Sequence, residues 1–77
     1  MGNYEKYFDG KTEVEISGEF LNACKNLNID KIDFIIKSKK ENINSFALNE
    51  GLMDIARSVE NDKQSKKLIC AELIVEN

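Results

Sequence analysis

Few residues in this chain of 77 could carry out chemistry. It contains no histidine, which excludes a Ser–His or Cys–His catalytic pair and a histidine-ligated zinc ion. Its two cysteines, Cys24 and Cys70, each fall within an apolar stretch. Because free cysteine is among the most buried residue types, we interpret both as reduced thiols of the core.

Carboxylates offer the remaining chemistry. Asp30 and Asp33 are three residues apart, but a hard cation needs more oxygen ligands than these two supply. The four glycines are isolated, so no Gly-rich phosphate-binding loop is present. We therefore predict no catalytic residues, no metal site and no cofactor, and a protein that is not an enzyme.

Apolar residues that alternate with polar ones predict strands in much of the chain. Asp9-Gly10 is typical of a two-residue hairpin turn, which would join the first two of these strands. The predicted strands cover residues 4–8, 11–17, 31–38, 43–48 and 68–75.

Helical spacing predicts two helices. Ser17 is a candidate N-cap of the first helix and Asn49 of the second. The inward stripe of the first helix would be Phe20, Leu21, Cys24 and Leu27. The predicted fold class is α+β: one mainly antiparallel sheet with two helices on one face, a ferredoxin-like βαββαβ core preceded by an N-terminal hairpin arm. We expect a single domain over residues 1–77, with the β arm and turn at 1–10 and the core at 11–77.

The last predicted strand is apolar on both faces, although the last strand of this topology is normally an edge of the sheet. We therefore predict an exposed-strand interface, formed by Leu68, Cys70 and Ile74, that binds a partner protein or a second copy of the chain.

The net charge of −3 conceals a predicted separation of charge. In a βαββαβ order, the turn at 39–42 and the loop at 61–67 lie at the same end of the domain. The predicted basic pole consists of Lys37, Lys39, Lys40, Lys63, Lys66 and Lys67. The predicted acidic pole consists of Asp9, Asp30, Asp33, Glu50, Asp54 and Glu76. Either pole could dock a charged partner, whereas the alternative is that charged turns only keep a small domain soluble.

These features favour a small non-enzymatic module that binds and modulates a protein partner. Ten lysines against one arginine, together with nine asparagines, indicate an AT-rich coding sequence. Small acidic proteins from such genomes include phage and mobile-element inhibitors of host machinery, anti-CRISPR proteins among them, and we expect a function of that class.

Two alternatives remain. One is a small regulatory nucleic-acid-binding domain that uses the lysine-rich pole, which the negative net charge disfavours. The other is a ligand-binding or enzyme-accessory domain completed by dimerisation. No apolar run approaches the roughly 20 residues that span a bilayer, so we expect a cytoplasmic protein that does not bind membranes.

Overall fold

A computed structural model describes residues 3–58 and 64–76 of the chain. These residues form helices and contain no strand. The helices are α1 (Asn3–Phe8), α2 (Glu13–Asn26), α3 (Ile29–Ser38), α4 (Ser45–Arg57) and α5 (Gln64–Glu76), with a 3-10 turn (Lys40–Asn42) before α4. The predicted α+β class with its ferredoxin-like sheet is therefore wrong, and the chain is a small all-helical bundle.

The four longer helices form a closed ring. Helix α2 packs against α3 and α4, and α5 packs against the same two helices from the other side. Leu27 ends α2 in the left-handed conformation, with φ at 54°, and turns the chain directly into α3. The Ser58 hydroxyl, just after α4, donates to the Lys25 carbonyl. The C-termini of α2 and α4 therefore lie together, at what we call the upper end of the bundle.

One apolar core fills the ring. On α2 its residues recur at helical spacing, and Phe20 is fully buried at the centre. Burying each large apolar side chain contributes about 1.5–3 kcal/mol, so this core dominates the stability of the fold. The buried residues are Phe8, Ile16, Phe20, Ala23, Cys24, Leu27, Ile32, Ile35, Ile36, Ile43, Ala47, Ile55, Cys70 and Ile74.

Both cysteines are free thiols in this core, as the sequence predicted. Burial, with smaller contributions from Cys70 and Asp54, raises the pKa of the Cys24 thiol to about 12. Burial also raises the pKa of Cys70. Because the thiolate is the reactive form, neither cysteine has the environment of a nucleophile.

Local capping signals explain why predicted strands are helices. Thr12 and Glu15 form a capping box: the Glu15 amide donates to Thr12 Oγ1 at 3.3 Å, and the Thr12 amide donates to Glu15 Oε1 at 2.8 Å. This Thr-x-x-Glu pattern starts α2 five residues before the position that a Ser17 cap implies. Asn28 caps α3 by a single hydrogen bond, in which its Oδ1 accepts from the Lys31 amide.

The remaining predicted strands fail for a related reason. Residues spaced two apart also include pairs four apart, so Ile32 and Ile36 fit a strand face and a helix face equally well. In α3 they join Ile35 on one buried helical face. Residues 68–75 lie within α5, and α4 begins at Ser45 with an Asn44 cap rather than at Asn49.

The predicted hairpin arm is helix α1. Gly10 does adopt the positive φ that a hairpin turn would require, at 81°, but it follows the end of a helix instead. Phe8 belongs to the core, where it stacks on Phe34 with ring centroids 5.5 Å apart. None of the described helices combines the length and the apolar character needed to cross a membrane.

Candidate functional site

The predicted poles mix with each other in the helical fold. Asp30 and Lys66, assigned to opposite poles, line one cavity beside the α2–α3 turn. Asp9 and Lys39 line another cavity beside α1. The grouping of these side chains into two poles was inferred from a predicted strand order. The described residues form helices instead, so that inference no longer holds.

Other members of the two poles also lie beside opposite charges or far apart. Lys37 Nζ lies 3.0 Å from Asp33 Oδ1, one turn away on α3. Lys67 Nζ donates to the Ala56 carbonyl at the upper end, whereas Lys39 and Lys40 follow α3 at the lower end. Lys63 lies outside the described residues. A partner-binding role for any of these side chains stays a prediction.

The three residues of the predicted exposed-strand interface do not share a face. Leu68 is exposed, whereas Cys70 and Ile74, four residues apart on α5, both point into the core. Glu76 lies in the last turn of the same helix. Because these residues lie in a helix, the strand form of the interface is wrong, whereas partner binding by any of the three stays a prediction.

A charged cluster joins the first three helices. The Tyr7 hydroxyl donates to Glu19 Oε2 at 2.7 Å, and Lys31 forms an ion pair with the same carboxylate. The hydrogen bond to Glu19 raises the pKa of Tyr7. The hydrogen bonds from Lys31 and Tyr7 lower the pKa of Glu19. Lys11 Nζ also lies 4.6 Å from the centroid of the Tyr7 ring. Because Tyr7, Glu19 and Lys31 come from three different helices and are bonded to one another, this cluster holds α1 against α2 and α3 rather than presenting a reactive group.

Helices α2 and α4 leave an apolar groove between their first turns, which we call the α2–α4 groove. It encloses about 360 Å³ at the end of the bundle where both helices begin. Its lining residues are Glu13, Val14, Ser17, Gly18 and Leu21 on α2, with Asn42, Asn44, Phe46 and Ala47 before and within α4.

Two apolar side chains at the groove are strongly exposed. Val14 is 81% exposed and Phe46 is 71% exposed. Burying an aromatic side chain of this size against a partner is a large source of binding energy. The groove therefore has the composition of a binding surface rather than of a solvated helix pair.

The polar groups around the groove are mainly acidic or already bonded. Thr12 and Asn44 cap α2 and α4, and Asn44 Oδ1 accepts from the Ala47 amide at 2.8 Å. Glu13 lies in the lining, and Glu50 follows Phe46 by one turn on α4. Among the lining residues that the structure describes, none is basic.

No protein-family model, curated protein or solved structure matches this chain. The geometry of the groove is therefore the available guide to function. Within residues 3–58 and 64–76, no three carboxylate or cysteine side chains are grouped closely enough to hold a metal ion.

The sequence analysis singled out none of the residues that line the groove as partner-binding residues. Glu50 and Asp54 were singled out as partner-binding carboxylates, and both lie on α4 after Phe46. Asp54 has little side-chain exposure and pairs with Arg57 at 3.5 Å, and Glu50 is partly exposed. Val14 falls within the strand predicted over residues 11–17, and that prediction did not mark it as a binding residue. The Thr-x-x-Glu capping box would have placed it instead near the start of a helix, two residues before the buried stripe begins at Ile16.

Proposed function

We propose that this chain is a non-enzymatic protein-binding module whose α2–α4 groove receives an apolar, basic segment of a partner protein. The observation that carries the proposal is the exposure of Val14 and Phe46 at the same groove. A partner that covers both side chains removes from water the most exposed aromatic and the most exposed aliphatic residue of the described chain.

The charges around the groove support a basic partner. Glu13 lies in the groove lining, and Glu50 lies one turn after Phe46 on α4. A lysine or arginine beside the apolar anchor of the partner would be attracted to these two carboxylates. An amphipathic helix with apolar anchors three or four residues apart and basic residues beside them fits such a groove. Basic segments are typical of proteins that handle nucleic acids, so an inhibitor of that machinery from a phage or mobile element remains our biological prediction.

The shape of the groove favours a protein segment over a small molecule. Small-molecule sites commonly exceed about 300 Å³, enclose the ligand and direct several polar groups at it. Here the volume is near that lower bound, and the apolar side chains of Val14 and Phe46 face solvent. Such open apolar rims are typical of surfaces that bind other proteins.

Two synthetic amphipathic peptides test the proposal. One carries leucine and lysine, and the other carries leucine and glutamate in the same positions; each has about 18 residues, enough for five helical turns. We expect the lysine peptide to shift the backbone NMR signals of Val14, Gly18 and Ala47 on titration. The glutamate peptide should leave them unchanged.

Matched variants locate the binding. Phe46→Ala should weaken binding of the lysine peptide about tenfold or more, as expected for a central aromatic anchor. Val75→Ser removes a similarly exposed apolar side chain from α5 that does not line the groove, and this variant should bind the peptide like the wild type. Equal binding of both peptides, or equal effects of the two substitutions, would contradict a groove that recognises a basic segment.

A further inference from the structure

The apolar surface of the α2–α4 groove continues along both helices. On α2, Val14 is followed by Leu21, and on α4, Phe46 is followed by Met53, which is 47% exposed. Each pair is separated by two helical turns, or about 10.5 Å, so both members lie on one face of their helix. Two apolar layers therefore lie on this surface, one at the groove and one two turns nearer the upper end.

Helices α2 and α4 are parallel. Both begin at the groove, where Val14 and Phe46 lie in their first turns. Both end at the upper end, where the Ser58 hydroxyl donates to the Lys25 carbonyl at 3.3 Å. The two helix dipoles therefore point the same way, with their positive ends at the groove.

The charge of this surface changes sign along the two helices. The groove end is acidic, through Glu13 in the lining and Glu50 one turn after Phe46. The upper end is basic, because Lys25 and Arg57 each follow the second apolar layer by one turn, on the same faces of α2 and α4. Lys25 is exposed, and the Arg57 side chain is 62% exposed.

Asp54 opposes the basic end only in part. Its side chain is 11% exposed and lies 3.5 Å from Arg57 Nη1. Lys25 and Arg57 are both more exposed than this carboxylate, so a partner that covers the upper end meets mainly positive charge. From Glu13 to Lys25 the surface extends about 18 Å along α2, which is the length of a short helix of a partner.

We propose that the α2–α4 groove binds a partner helix in one direction, antiparallel to α2 and α4. Acidic residues in the first turns of the partner helix then contact Lys25 and Arg57, and basic residues in its last turns contact Glu13 and Glu50. Apolar side chains between them cover the two apolar layers. This inference rests on the proposed function and adds to it the direction of the segment and a need for acidic residues at its N-terminal end.

Helix dipoles favour the same direction. The negative C-terminal end of an antiparallel partner lies beside the positive N-terminal ends of α2 and α4. Acidic residues near the N-terminus and basic residues near the C-terminus also stabilise the partner helix itself. A helix bound in the parallel direction would need the reverse charge order, which opposes its own dipole. A segment whose charges suit its own helix therefore matches this surface only when it runs antiparallel.

Two peptides of identical composition test the direction. Each has about 18 residues, blocked ends and leucines in the same positions. The first peptide carries glutamates in its N-terminal half and lysines in its C-terminal half, and the second peptide has these halves exchanged. In NMR titrations we expect the first peptide to bind the wild type about tenfold more tightly. A nitroxide at its C-terminus should broaden the amide signals of Val14 and Ala47, and a nitroxide at its N-terminus those of Lys25 and Arg57.

Variants of the protein separate this charge recognition from the helicity of the peptides, which also depends on their charge order. K25Q/R57Q neutralises the basic end and should reduce the preference for the first peptide by about threefold or more. Lys37→Gln is the matched control, because the Lys37 side chain is 60% exposed and also pairs with an aspartate one turn away, but on α3. This variant should keep the full preference. If K25Q/R57Q fails to fold, the nitroxide broadening in the wild type still gives the direction.

Equal binding of the two peptides by the wild type, an unchanged preference in K25Q/R57Q, or the reverse pattern of broadening would overturn the proposed direction. The lysine peptide separates that failure from failure of the proposed function. If the lysine peptide binds at the groove and Phe46→Ala weakens its binding, only the direction is wrong. If no peptide shifts the groove signals, both proposals are wrong.

Discussion

The close approach of α4 to α2 at Gly51 gives a direct test of the packing. A Cβ atom added at Gly51 would lie 2.5 Å from Cε2 of Phe20 and 2.9 Å from Sγ of Cys24. Both side chains are completely buried, so neither can move out toward solvent. Gly51→Ala must therefore displace the Phe20 ring or separate the two helices.

The size of the effect follows from two opposing contributions. Overpacking a closed core costs about 1–3 kcal/mol, and two contacts below 3.0 Å place Gly51→Ala at the upper end of that range. Alanine regains about 1 kcal/mol of helix propensity over glycine. We expect Gly51→Ala to lower the free energy of unfolding by about 2 kcal/mol, or about 10 °C in melting temperature for a chain of this size.

Gly18→Ala on α2 is the matched control. A Cβ atom at Gly18 meets nothing within 4 Å, so only the gain in helix propensity remains. This variant should be more stable than the wild type by about 0.5–1 kcal/mol. Urea denaturation followed by far-UV circular dichroism should therefore separate the two alanine variants by about 3 kcal/mol.

One result would refute this reasoning. If Gly51→Ala stabilised the protein as much as Gly18→Ala does, α2 and α4 would not approach as closely as described. A double-mutant cycle with Phe20→Leu gives an independent check, because a smaller side chain makes room for the added methyl group. The destabilisation caused by Gly51→Ala should be smaller in that background.

Three further changes test other contacts. Thr12→Ala removes the N-cap of α2 and should cost about 1 kcal/mol in urea denaturation, whereas Thr12→Ser should be nearly neutral. Glu19→Gln tests a carboxylate whose pKa is lowered in the fold by Lys31 and then Tyr7. Because the folded pKa lies below the unfolded one, the stabilisation from ionised Glu19 is present above the ordinary glutamate pKa of about 4.3 and is lost as the pH falls through the lower folded value. The difference in melting temperature between wild type and Glu19→Gln should therefore shrink as the pH is lowered from about 6 to 3. Leu27→Gly relieves a left-handed residue but deletes a buried side chain, so a net loss of about 2 kcal/mol is expected by urea denaturation.

Each of these changes has an opposite outcome that would count against the assigned contact. A neutral Thr12→Ala would mean that the capping box contributes nothing. A difference between wild type and Glu19→Gln that is constant with pH would mean that Glu19 has no lowered pKa. A stabilised Leu27→Gly would mean that relief of the backbone outweighs the packing of the leucine side chain.

The sequence predicts the core better than the fold. Phe20, Cys24 and Leu27 were placed on the inward side of a helix, where they lie, because their spacing fits a helix and not a strand. Ile32 and Ile36 fit both periods, so local pattern could not decide between them. The deciding signals at the start of α2 were Thr12 and Glu15, which oppose the alternation of the residues around them.

The site was harder to predict because it depends on which helices are neighbours. Val14 and Phe46 are 32 residues apart, and only the packing of α2 against α4 brings them to one groove. Glu50 could be singled out from its charge, since carboxylates are recognisable wherever the chain places them. The exposure of an apolar side chain is a property of the whole fold, so neither Val14 nor Phe46 could be identified from its local sequence.

The two buried thiols allow local opening of the protein to be measured by chemical labelling. Cys24 lies on α2 and Cys70 on α5, so a thiol reagent can reach each one only when the helix that shields it opens. Labelling rates measured separately at the two sites, across denaturant concentrations, would give two local opening free energies without any added probe. Equal values would show that the ring of helices opens as one unit, whereas faster labelling of Cys70 would show that α5 detaches before the rest unfolds.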